Sequence, residues 1–133
     1  MIEKLGSTST GNETLLVVED NTLVRQLVTR ILRDHGFNVF EAANGMEALA
    51  LAKKNSGQCI HLLLSDIGLP LMGGEELARR FLQVRPHTRV LFISGNTDAA
   101  FLHDGQSQSP ENFLQKPFTP EQLVSKVRLT LQS

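Results

Sequence analysis

Short runs of β-favouring apolar residues recur along the chain, each ending in polar residues before an amphipathic stretch begins. Thr14-Leu15-Leu16-Val17-Val18 is the first. It is too short for a helix and continuously apolar, as suits a strand buried on both faces of a parallel sheet. Phe37 to Glu41 reads as a second strand, Ile60 to Ser65 as a third, Arg89 to Ser94 as a fourth and Asn112 to Gln115 as a short fifth. Between the first two, Leu23, Val24, Leu27, Val28, Ile31 and Leu32 mark one face of a helix, with Arg25, Arg30, Arg33 and Asp34 mostly off it. His35-Gly36 closes that helix, Gly supplying the left-handed C-terminal position.

Asn44-Gly45 opens a second helix with Met46, Leu49 and Ala52 as its apolar positions, ending near Gly57. Gly73-Gly74 precedes a third, carrying Leu77, Ala78, Phe81 and Leu82 and stopped by Arg85-Pro86. Asp98 to Leu102 has the makings of a short helix, but Gly105 and the Gln/Ser run beside it argue for a mobile loop. Thr119-Pro120-Glu121-Gln122 is a strong helix start, with an N-cap Thr, Pro at the first position and Gln completing a capping box. Leu123, Val124, Val127 and Leu131 form the buried face that follows. Five βα repeats predict an α/β fold, a doubly wound five-stranded parallel sheet with helices on both faces. This domain is expected over residues 14–132, with the Ser/Thr/Gly-rich residues 1–13 as a flexible tail or linker.

Composition excludes several classes. Acidic and basic residues nearly cancel, to a net charge of −1, and no basic stripe offers a nucleic-acid surface. No apolar stretch approaches the length of a membrane span, and the N-terminus lacks a signal peptide's apolar region. No membrane contact is expected of this domain, and a cytoplasmic location is. Neither a P-loop nor Gly-x-Gly-x-x-Gly occurs. The single cysteine, Cys59, abuts an apolar run and reads as a buried, inert thiol. Met46 and Met72 read as packing residues. His35 suits a helix C-terminus, and His61, His87 and His103 show no ligand spacing.

In a parallel sheet the carboxyl ends of the strands are neighbours, and open α/β sheets place their chemistry at that edge. Glu19 and Asp20, Asp66, Ser94 and Lys116 then come together, while strand two adds no obvious member. Taken singly, each has an ordinary explanation. Asp66 could be a turn or cap carboxylate, Glu19, Asp20 or Asn21 a cap for the first helix, and Lys116 a solvated charge. Together they form a set in which clustered carboxylates repel unless a cation is present. Oxygen ligands without His or Cys favour a hard cation, Mg²⁺ with Mn²⁺ as a substitute, as a phosphoryl-transfer enzyme or acceptor requires.

These residues resemble the receiver domain of two-component response regulators. The resemblance rests on Glu19-Asp20, Asp66-Ile67-Gly68-Leu69-Pro70 with Gly74, Ser94-Gly95, and Lys116-Pro117-Phe118, in order at successive strand ends. It implies a flavodoxin-like (βα)5 fold with strand order 2-1-3-4-5. It implies a signalling acceptor rather than an enzyme acting on a separate substrate. Asp66 would take a phosphoryl group from the phosphohistidine of a histidine kinase or its phosphohistidine domain. Mg²⁺ would be held by Asp20, Asp66 and the Gly68 backbone carbonyl, with Glu19 acting through water. Lys116 and Ser94 would contact phosphoryl oxygens, Ser94 and Phe113 would switch, and the bond before Pro117 would be cis. A downstream phosphotransfer or output protein would be the further partner. The overall pattern looks most like the C-terminal receiver of a hybrid sensor kinase.

Two other functions compete. A haloacid-dehalogenase-type phosphatase also uses an aspartyl nucleophile after a strand, but needs a second Asp where this chain has Gly68. A degenerate receiver binding partners unphosphorylated would not need Glu19, Asp20, Asp66, Ser94 and Lys116 all intact.

Overall fold

A computed structural model describes residues 13–54, 57–95 and 113–132. Its strands are β1 (Thr14–Val18), β2 (Asn38–Ala42), β3 (Leu62–Asp66), β4 (Arg89–Ser94) and β5 (Phe113–Gln115). Its helices are α1 (Thr22–Asp34), α2 (Gly45–Lys54), α3 (Gly74–Val84) and α4 (Pro120–Gln132). All strand pairs are parallel, in the order β2-β1-β3-β4-β5. The sequence order reverses at β1, so β1 and β3 lie side by side at the switch point where open α/β sheets bind ligands. The Asp98 to Leu102 helix, the loop after it, Asn112, His103 and nearly all of the N-terminal tail lie outside the described residues.

Alternation along the strands builds two apolar layers. Leu15 and Val17 of β1, with Leu62 and Leu64 of β3, face Val28 and Leu32 of α1 and Leu123, Val124 and Val127 of α4. Leu16, Val18 and Leu63 face the other way, onto Ala48 and Ala52 of α2 and Leu77 and Phe81 of α3. A strand covered on both sides has no polar face, which is why these runs show no alternation in sequence.

The helix ends follow the local chemistry. Asn21 caps α1, its Oδ1 accepting from Val24 N at 3.0 Å, and Gly36 takes φ 96° just past the C-cap His35. The Thr119 hydroxyl accepts from Gln122 N at 3.0 Å while Gln122 Oε1 accepts from Thr119 N at 2.9 Å, closing the capping box of α4.

Several expectations are corrected. β2 and β3 are displaced toward the C-terminus of the predicted runs, so that Asp66 ends β3 in register with Ile93 rather than opening the loop. Leu23 and Leu27 are 77% and 58% exposed, because α1 is covered along Val28, Thr29 and Leu32 and its apolar arc is wider than that contact. Met46 is exposed: Gly45 packs against Met72, so the next residue, about 100° further round the helix, points outward. Cys59 is exposed as well, since the buried Ile60 turns inward and its neighbour turns out. Met72 is buried.

Candidate functional site

Asp66 is carried to the sheet edge by three leucines buried on both faces, and its own residue is 8% exposed. Oδ1 accepts the Gly68 amide at 2.9 Å, a turn bond that fixes the carboxylate and leaves Oδ2 facing Lys116 Nζ at 3.2 Å. The turn role expected of an Asp after a strand thus falls to one oxygen, while the other faces a charge. Lys116 Nζ also lies 3.5 Å from Glu19 Oε1, placing one ammonium between two carboxylates.

Glu19 is buried directly after β1, with Oε2 accepting from Asn21 N at 3.1 Å. Asn21 takes the capping role, so Asp20 is not needed as the cap of α1 and stands exposed beside the cluster. One carboxylate oxygen from each of Glu19, Asp20 and Asp66 lies within 4.8 Å of the others. Burial pushes the Glu19 carboxyl up to about 7, the charge of Asp66 adding to the rise and Lys116 opposing it. Burial pulls the Lys116 ammonium down, but Asp66 and then Glu19 outweigh it and leave it above its ordinary value. One ammonium thus does not neutralise the cluster. All-oxygen donors at this separation, short of positive charge, suit a divalent hard cation.

Ser94 and Lys116 are joined through the backbone, Lys116 N donating to Ser94 O at 2.8 Å. The Ser94 side chain is fully buried one residue past Ile93, the register partner of Asp66, and its hydroxyl donates to Gly95 O at 3.4 Å. Phe113 is half-buried at the start of β5 and stacks on Phe92, ring centroids 5.4 Å apart. The Lys116–Pro117 peptide bond is cis.

Two tertiary contacts complete the surroundings of the site. A Cβ at Gly74 would stand 2.6 Å from Asp66 O and 2.9 Å from Ile67 Cα, so only glycine lets α3 begin against the end of β3. Gly73-Gly74 was a helix-start signal, but the close approach is a tertiary fact. Strand two also reaches the site indirectly: Arg25 Nε donates to Glu41 Oε1 at 3.2 Å and Nη1 to the Glu19 carbonyl at 2.8 Å.

A family model described as the response regulator receiver domain matches residues 15–128. The chain belongs to this family. It is 34% identical over 122 residues to Sensor kinase CckA of Brucella abortus (strain 2308), covering 92% of this chain and 13% of that protein. It is 30% identical over 118 residues to Transcriptional regulatory protein SrrA of Staphylococcus aureus (strain NCTC 8325 / PS 47), covering 89% of this chain and 47% of that one. The chain thus spans only part of the length of these curated relatives. Among solved structures, the receiver domain from the hybrid histidine kinase CckA matches with a TM-score of 0.73 at 34% identity, covering 90% of this chain and 99% of that one. The flavodoxin-like architecture and its 2-1-3-4-5 order are those of a receiver of two-component signalling. None of the helices among the described residues is long and apolar enough to cross a membrane.

Proposed function

We propose that this receiver domain, residues 14–132, accepts a phosphoryl group on Asp66 from a phosphohistidine, in a reaction that needs Mg²⁺ or Mn²⁺. The observation that carries the reading is the convergence of Glu19, Asp20, Asp66 and Lys116 at one sheet edge. An Asp66 carboxylate oxygen attacks phosphorus, the P–N bond to the donor imidazole breaks, and its electron pair leaves with the ring nitrogen. No general base is required, because Asp66 attacks as the carboxylate. Asp20, Asp66 and the Gly68 carbonyl would hold the ion, with Glu19 acting through water. When bound, the ion supplies positive charge to the equatorial phosphoryl oxygens, where charge gathers in the transition state.

Lys116 adds its ammonium to the same oxygens, exchanging a contact with the Asp66 carboxylate for one with the acyl phosphate. Gly68 N–H, already on Oδ1, keeps the other oxygen oriented for attack. Phosphorylation replaces a charge of −1 with about −2 and adds acceptor oxygens. The Ser94 hydroxyl, whose bond to Gly95 O is long at 3.4 Å, turns toward them, and Phe113 follows from its stack on Phe92. These changes alter the β4–β5 face read by a downstream phosphotransfer or output protein. The likeness to CckA supports an origin as the receiver of a hybrid histidine kinase working in the cytoplasm.

Incubation with a small phosphodonor and Mg²⁺ tests the reading by intact mass. One added phosphate is expected in the wild type and none in Asp66→Asn. An adduct of equal yield in Asp66→Asn moves the acceptor elsewhere.

A further inference from the structure

Arg25 closes the first turn of α1, one turn before the buried Val28 and Thr29 and on their side of the helix, and its side chain is only 16% exposed. The guanidinium reaches back past the helix start. Nη1 donates to the Glu19 carbonyl at 2.8 Å, and Nε donates to Glu41 Oε1 at 3.2 Å. Glu41 belongs to β2, and its other carboxylate oxygen lies 3.7 Å from Arg33 Nη1, which keeps that side chain turned toward α1. One cation therefore bridges α1, β2 and the β1–α1 turn.

The location matters more than the number of bonds. The paired stretch of β1 ends at Val18, and the Glu19 amide adds one further bond to Ala42 O at 3.1 Å. The Glu19 carbonyl is the next group along. It lies in the peptide plane that joins Glu19 to Asp20, so any rotation of that plane swings the two carboxylates relative to Asp66. The strand ladder does not reach it; Arg25 does.

We propose that Arg25, steadied by Glu41, is a positioning residue that fixes the Glu19–Asp20 peptide and so presets that side of the acidic cluster for a divalent cation. The inference rests on the reading of Glu19, Asp20 and Asp66 as an ion site. Arginine suits the task because its planar fork holds its donors in fixed relative directions, here matched to acceptors on different elements. Both bonds are charge-assisted, which makes them stronger than neutral ones. A lysine at position 25 keeps the charge but, as a compact ammonium with freely rotating donors, cannot hold both acceptors in a fixed plane.

A Mg²⁺ titration followed through the amide resonances of Asn21 and Gly68 tests this, comparing wild type, Arg25→Lys and Leu32→Val. Leu32 is fully buried near the far end of the same helix, so Leu32→Val lowers the melting temperature without touching the turn. Arg25→Lys should weaken apparent Mg²⁺ affinity by about tenfold, the low end for groups that orient ligands. Leu32→Val should bind Mg²⁺ as the wild type does. Equal affinity in Arg25→Lys and wild type overturns the proposal and leaves the ion site standing. An equal loss in Leu32→Val assigns the effect to general destabilisation and overturns it too. Absence of saturable Mg²⁺ binding in the wild type removes the ion-site reading, and this inference with it.

Discussion

The two edges of the sheet put their polar side chains to different uses. At the amino edge three of them are bonded to backbone. His61 Nδ1 accepts from Thr14 N at 2.9 Å, Thr88 Oγ1 donates to Ile60 O at 2.7 Å, and Arg85 donates to Ala52 O at 3.1 Å and Gln58 O at 2.6 Å. Those bonds satisfy carbonyls and amides where strands start and helices stop. At the carboxyl edge ionisable groups also face one another, an ammonium against Glu19 and Asp66 with an Asp20 carboxylate oxygen within 4.8 Å of theirs. Buried groups whose partners are backbone stabilise a fold, whereas charges gathered without full neutralisation are a standing capacity to bind something.

Substitutions at the two edges should therefore separate stability from ion binding. The largest stability effect is expected for Arg85→Ala, which removes the donors to two carbonyls at the amino edge. Loss of roughly 2 kcal/mol is expected in denaturant melts, with Mg²⁺ affinity unchanged. A fall in affinity matching the fall in stability would erase the distinction between the edges.

The next effect is one of pH. The folded Glu19 carboxyl sits at about 7 against an ordinary 4.5, so folding takes up a proton between those values. Its contribution to stability without Mg²⁺ is full below about 4.5, declines as pH rises toward about 7, and is level above that. Thermal melts in EDTA across that range should show wild type losing ground to Glu19→Gln as pH rises. Parallel pH curves for the two proteins would mean that Glu19 carries no shifted proton.

Cys59→Ser is the smallest case. The thiol is exposed at the amino edge, so stability should move by less than about 0.5 kcal/mol and phosphoryl acceptance not at all.

Much of this edge chemistry was legible in the chain. A parallel sheet needs only the order of the strands to make their ends neighbours, so Glu19, Asp20, Asp66, Ser94 and Lys116 could be assembled from five apolar runs. What stayed hidden depends on how elements cover one another. Periodicity marks the apolar side of α1 but not how wide a strip the sheet covers, hence the exposed Leu23 and Leu27. The apolar positions also leave Arg25 out of that arc, although it stands one turn before the buried Val28 and Thr29 and its guanidinium reaches Glu19 and Glu41. The need for glycine at position 74 comes from the Asp66 carbonyl 2.6 Å from where a Cβ would stand, a contact between β3 and α3 that local pattern does not encode.

If the charge gathered at the carboxyl edge makes Asp66 a phosphoryl acceptor, the acyl phosphate can be trapped where it forms. The most direct measurement is to treat the phosphodonor-loaded protein with borohydride, which reduces an acyl phosphate to the alcohol, and to locate the modified residue by tandem mass spectrometry. Homoserine at position 66, dependent on Mg²⁺, is the expected result. Modification at another position, or none under conditions that saturate the ion site, would contradict the account.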